Sequence, residues 1–253
     1  MKQETISKIT QWGLILLLFV SYTNTYGQSV KKDHWRFVSM PDILNVDTDF
    51  PQVGWEDALS FVLEEVKNEN PDFLTVAGDL VMGRWHGEPE KPGLEGIKHF
   101  AARYYPAWKA RMEAHGLKYY TGIGDHEVGD DPWHYEEARE YVAAYKKEFR
   151  EHMGMPLNGP EHMKGTAFFW KHKNALFVSV DVFEEGESSK GKIRAGVTGK
   201  QLEWFERVLN ENTDVDHVIV MGHTPVLGPV RLWSTSSPNV GRVSGVQILA
   251  NNG

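Results

Sequence analysis

Five side chains able to bind a metal ion or carry a proton stand at places where the chain is expected to turn sharply. They are Asp42, Asp79 in Gly78-Asp79, Asp125 and His126 in Gly124-Asp125-His126-Glu127, and His223 in Gly222-His223. Carboxylate oxygens combined with imidazole nitrogens suit Zn, Mn, Fe or a similar divalent ion, whereas a magnesium or calcium cage would draw on oxygen alone. The sequence contains no cysteine, which excludes a disulfide, a thiolate zinc site and a cysteine nucleophile. Gly78, Gly124 and Gly222 let the backbone bend and bring the neighbouring side chain to a rim.

Each of these residues follows a segment that reads as a strand. Arg36–Met40 precedes Asp42, Phe73–Ala77 precedes Gly78-Asp79, Leu117–Thr121 precedes the Asp125-His126 loop, and His217–Met221 precedes Gly222-His223. Between the strands lie helical patterns. Trp55, Ala58, Leu59, Val62, Leu63 and Val66 mark one face of a helix over 54–68. A second helix spans 96–115, where Pro106 is expected to kink or split it. The segment 135–153 is heavily charged and reads as a surface helix. Residues 167–181 read as a β-hairpin turning at Lys171–Asn174, and a helix over 198–210 opens with Thr198 and Gln201 in capping-box spacing. Strands alternating with helices imply an α/β domain, and in such sheets side chains converge on a ligand at the carboxyl ends of the strands.

The 253 residues are enough to bury a real core, and 27 Lys plus Arg against 35 Asp plus Glu leave a formal charge of −8. That balance gives no electrostatic attraction to nucleic acid or to an anionic membrane. Lys2 and Lys8 precede the apolar run Trp12–Val20, and small and polar residues follow to Gly27. This order reads as a secretory signal peptide over 1–27, leaving a domain over 28–253 to fold in a secreted or periplasmic setting. The apolar run is far shorter than the roughly 20 residues a membrane-spanning helix needs.

The succession Asp, Gly-Asp, Gly-Asp-His-Glu, Gly-His closely resembles the calcineurin-like metallophosphoesterase superfamily, which includes purple acid phosphatases and cyclic-nucleotide phosphodiesterases. Its pattern is Asp-x-His, Gly-Asp, Gly-Asn-His-Glu/Asp, Gly-His and finally Gly-His-x-His. The resemblance covers roughly residues 35–230. It implies a four-layer α/β/β/α sandwich of two mixed β-sheets flanked by helices. It also implies two divalent metal ions, a phosphate ester as substrate, small or macromolecular, and hydrolysis of a mono- or diester by a metal-bound hydroxide. By the same resemblance Asp79 would bridge the two ions, Asp42 would bind the first, Asp125 and His223 the second, and His126 would act beside them as general acid.

The sequence departs from the pattern in three places. Leu44 stands where the first motif has a metal-binding His, with Asn45 and Asp47 as nearby substitutes. Asp125 stands where Asn is usual, which lowers the site's net charge from about +1 to about 0 and favours a less anionic substrate such as a phosphodiester. No histidine follows His223, so the final Gly-His-x-His is missing and the chain reads as a C-terminally truncated fragment. A non-catalytic, metal-poor binding module on a degenerate phosphoesterase fold is the alternative. Trp85, Trp133, His86 and His134 read as loop residues near the cleft, the two tryptophans as platforms for an organic group. Glu127 reads equally as a partner orienting its neighbours and as solvent-exposed.

Overall fold

Phe73–Val76 carries no polar alternation, and every one of its residues is buried, as a strand covered on both faces requires. The computed structural model makes it the middle strand, β2, of a parallel sheet. β1 (Phe37–Met40) lies on one side and β3 (Tyr119–Thr121) on the other. The register pairs Met40 with Val76 and Val76 with Thr121, so all three chains leave the sheet level with one another at the same edge. The structure describes residues 34–40, 42–43, 53–130, 140–185 and 193–224, and those from Arg36 onward lie in one compact unit.

The expected hairpin forms β4 (Phe168–His172) and β5 (Ala175–Ser179), and β5 also pairs in parallel with the strand His217–Met221. This second sheet is therefore mixed, while the described strands of the first all run parallel. A small antiparallel pair, β6 (Phe183–Glu185) with β7 (Ile193–Ala195), precedes that last strand, which becomes β8. Aromatic rings join the two sheets face to face. Phe177 meets Phe37 and Phe73 edge-on at 5.1 Å, and Tyr120 stacks on Trp170 at 3.9 Å. Phe73, Trp170 and Phe177 are each at most 9 % exposed.

Four longer helices are described: α1 (Trp55–Asn68), α2 (Gly93–Ala114), α3 (Val142–Met153) and α4 (Gly199–Glu211). Trp108 of α2 sits against Tyr119 of β3, and Trp204 of α4 lies beside Phe169 on the other face of β4. The order helix, sheet, sheet, helix makes the four-layer sandwich. α2 runs unbroken through Pro106, and buried Tyr104, Tyr105, Trp108 and Met112 on both sides of the proline hold the helix together across the missing N–H. α3 is not the surface helix its charges suggest. Val142, Tyr145, Phe149 and Met153 form a buried stripe, and Phe149 packs edge-on against Tyr105 of α2. α1 buries Leu63 and Val66 while Phe61 and Val62 stay exposed. The capping box does not form at the start of α4: Thr198 makes no side-chain capping bond, and the fully buried Gln201 side chain is bonded to the main chain of Asp181. Among the described residues no helix is long and apolar enough to cross a membrane.

Phe177→Ala empties the seam between the sheets and is expected to reduce unfolding free energy by about 3–5 kcal/mol in chemical denaturation. Phe61→Ala, on the exposed side of α1, is expected to stay within about 0.5 kcal/mol of wild type.

Candidate metal centre

Beyond the level edge of the first sheet, the chain takes left-handed turns at two of the acids. Asp42 (φ 48°) lies two residues past β1, and Asp79 (φ 57°) lies three past β2, directly after Gly78 (φ 104°). Aspartate is among the few non-glycine residues that visit this region readily. The loops after β2 and β3 touch backbone to backbone. A Cβ on Gly78 would come within 2.3 Å of the Gly124 nitrogen, and one on Gly124 within 2.2 Å of Asp79 Oδ1. Only glycine fits at either position.

The side chain that ties these two loops together is Glu127. It is fully buried, and its carboxylate accepts four backbone N–H groups. Oε2 takes those of Asp79 and Gly124, both at 2.7 Å, and Oε1 those of Leu80 at 2.7 Å and Val81 at 3.3 Å. Burial raises the carboxyl above its ordinary range, although the N–H groups of Gly124, Leu80 and Asp79 pull against it. Four donors and no acceptor fit an ionised group. Of the two sequence readings, the solvent-exposed one is thereby excluded.

Both histidines reach the cluster through the same ring atom. His126 Nδ1 is 2.6 Å from the Met82 carbonyl, and His223 Nδ1 is 3.0 Å from that of Ala77. A carbonyl can only accept, so each Nδ1 carries a proton and each Nε2 faces the carboxylates. His223 Nε2 lies 2.8 Å from Asp125 Oδ1 and 3.6 Å from Asp79 Oδ1, and His126 Nε2 lies 3.9 Å from Asp79 Oδ2. Two groups of ligand-type atoms result, Asp42 with Asp79 and His223, and Asp79 with Asp125 and His126, each within 4.8 Å of one another. All five residues singled out in the sequence therefore converge, and Asp79 is common to both groups. His126 belongs to the second group by distance, with its Nε2 farther from Asp79 than that of His223. Leu44, Asn45, Asp47, Trp133 and His134 lie outside the described residues. Trp85 is 1 % exposed, packed among Tyr104, Tyr105 and Tyr145, and so offers no platform to a substrate. His86 is held by the Tyr145 hydroxyl and stacks on Tyr141.

The electrostatics fit divalent cations. Burial, and then the charges of Glu127 and Asp125, push Asp79 up to about 7 despite the two histidines. Burial alone would lower His223, but its hydrogen bond to Asp125 and the charges of Asp79, Asp125 and Glu127 outweigh that and raise it to about 9. Burial likewise opposes ionisation of Asp125, yet the His223 bond and the charges of His223 and His126 hold it below the ordinary carboxylate range. Protons on the imidazoles thus offset part of a buried acidic cluster, and the oxygen and nitrogen donors match ions of the Zn, Mn or Fe kind. Asp42, Asp79, Asp125, His126 and His223 are the residues that could hold them.

Glu127→Gln sets amide hydrogens against backbone N–H donors and is expected to destabilise the fold by about 2–4 kcal/mol in denaturant titration. In metal-free protein, the His223 contribution to stability is complete below its ordinary 6.5 and is lost as pH rises through about 9. Asp79, raised from 3.8 to about 7, likewise favours the folded state only while protonated. Thermal melts in chelator are therefore expected to show Tm falling from about pH 4 to about pH 9, first through Asp79 and then through His223, while excess Mn²⁺ or Zn²⁺ raises Tm by an amount that grows with pH.

Residues 36–249 match the family model described as calcineurin-like phosphoesterase. Solved structures similar to this one include a dimetal phosphatase from Danio rerio, 14 % identical with a TM-score of 0.47, the match covering 76 % of this chain and 70 % of that one. Another is a purple acid phosphatase from yellow lupin (Lupinus luteus) seeds, 15 % identical with a TM-score of 0.47, covering 76 % of this chain and 30 % of the lupin chain. No curated protein matches. The family match spans most of the sequence from the first strand onward, and this chain belongs to the calcineurin-like phosphoesterase family.

Proposed function

We propose that this protein is a metal-dependent phosphoesterase that hydrolyses phosphate mono- or diesters outside the cytoplasm, using two divalent ions drawn from Fe, Zn or Mn. The observation that carries the reading is the pair of ligand-type groups sharing Asp79. A carboxylate has two oxygens and is suited to bridge two cations. Asp42, Asp79, Asp125 and His223 are the residues that would hold the ions. When bound, such ions supply the positive charge that lowers the pKa of water and draws in a phosphate, which a chain of formal charge −8 does not otherwise attract.

The protein's own contribution is placement and proton supply. Its hydrogen bond to Met82 fixes the His126 ring, so that Nε2 is the atom turned to the cluster. A proton held there is placed to pass to a leaving oxygen, the role of a general acid. Because Asp79 and Gly124 are both tied to Glu127, the two loops carrying these groups cannot drift apart independently.

In a full-length protein that supplies the final Gly-His-x-His, elemental analysis is expected to find about two metal ions per chain, with hydrolysis of p-nitrophenyl phosphate, bis(p-nitrophenyl) phosphate or both. Asp79→Asn is expected to lose metal and turnover together. His126→Gln is expected to lower kcat by roughly 10²–10⁴-fold for an alkyl ester and less for a nitrophenyl ester, whose leaving group needs no proton. Metal near zero and no turnover on either substrate would replace this reading with that of a binding module.

A further inference from the structure

His223 stands on a segment packed against residues 180–183. The Val180 N–H donates to the Met221 carbonyl at 2.9 Å. A Cβ on Gly222 would meet Val180 Cγ2 at 3.0 Å and Val182 Cγ1 at 3.5 Å. The fully buried Phe183 ring lies 6.0 Å from the His223 ring. Any shift of this segment would therefore move the imidazole.

The segment is gripped from its far side by buried polar groups that the proposed chemistry does not use. Lys146, on α3, donates from Nζ to the Phe183 carbonyl at 2.6 Å and stands 2.8 Å from Asp181 Oδ2. Asp181 is fully buried, and its Oδ1 accepts the Phe183 N–H at 3.0 Å. The main chain of Asp181 is bonded at both ends to the side chain of Gln201 on α4, its N–H to Oε1 at 2.8 Å and its carbonyl to Nε2 at 2.7 Å. Both main-chain groups of Phe183 are thereby fixed, one by Lys146 and the other by Asp181. Removing two opposite charges from water is expensive, and a pair of apolar side chains would often be as stable. What the charged pair adds is a single defined position for the Phe183 backbone.

We infer that Lys146 and Asp181 are positioning residues for His223, acting through the Phe183 ring and the 180–183 segment. The inference rests on the proposed role of His223 for its functional meaning, but the placement itself can be read in metal-free protein. The double substitution Lys146→Met/Asp181→Asn removes both charges together, so no lone charge stays buried, and leaves an oxygen to accept the Phe183 N–H.

Ring ¹H–¹⁵N correlations of the histidines in the metal-free double variant are expected to show the His223 signals shifted or broadened, with those of His126 unchanged. Mn²⁺ titrated calorimetrically into the same variant is expected to bind roughly 10–100-fold more weakly than to wild type. Leu63→Ala, a cavity in α1, lowers stability elsewhere and is expected to leave both readouts at wild-type values. Phe183→Leu, which keeps the charged pair, is expected to disturb the His223 signals in the same way and serves if the double variant fails to fold. Unaltered His223 signals in a folded double variant, or in Phe183→Leu, overturn the inference. Altered signals in a protein whose wild type binds none of Mn²⁺, Zn²⁺ and Fe²⁺ uphold the positioning and remove the phosphoesterase reading instead.

Discussion

One buried carboxylate gathers the groups on which this site depends. Glu127 accepts N–H groups from Asp79, Leu80 and Val81 on one loop and from Gly124 on its own. Backbone donors at loop starts have no strand partner, and water cannot reach them here. Each would be costly if left unmet. Glu127 satisfies all four with one charge and draws together two loops that come from different strands. Glycines at 78 and 124 are the steric condition for this, since a Cβ on either would strike the opposite loop.

The same compactness makes the cluster electrostatically demanding. Glu127 and Asp125 raise the cost of ionising Asp79, and His223 answers by holding a proton well above its ordinary range. A protonated imidazole on Asp125 and a divalent cation are alternative solutions to one surplus of negative charge. They compete, because a metal needs the Nε2 lone pair that the proton occupies. The hydrogen bonds from Nδ1 to Met82 and Ala77 keep each ring turned with Nε2 toward the acids.

Strand ends and acids were legible in the sequence because the signals are local: an apolar β-branched or aromatic run, then Gly-Asp or Gly-His. The parallel register that makes those ends level follows from the alternation of strand and helix. Glu127 was only half legible, since a glutamate after a histidine in a loop reads as readily exposed as buried, and what decides it is the contact of Gly78 with Gly124 far along the chain. α3 was misread because Lys146, Lys147, Glu148, Arg150 and Glu151 mask the stripe of Val142, Tyr145, Phe149 and Met153, and Lys146 and Glu148 are themselves buried. Gln201 matches a capping box by spacing, yet the buried main chain of Asp181 claims its amide. Nothing local marks Lys146 and Asp181 as partners, as each is ordinary in its own element.

The seam between the sheets bears on the site as well as on stability. Asp42, Asp79 and Asp125 leave the first sheet, whereas His223 leaves the second, so their separation is set by how far apart the sheets stand. That spacing is fixed by ring contacts, with Tyr120 of β3 on Trp170 and Phe73, the first residue of β2, against Phe177 in the middle of β5. β8 is held to β5 so that Ser179 pairs with Met221, and β5 carries Phe177 into the seam. A chain of contacts therefore runs from the aromatic core through β5 to the end of β8 and its histidine. Close packing transmits displacement, so the 2.8 Å contact of His223 with Asp125 depends on rings that touch neither residue.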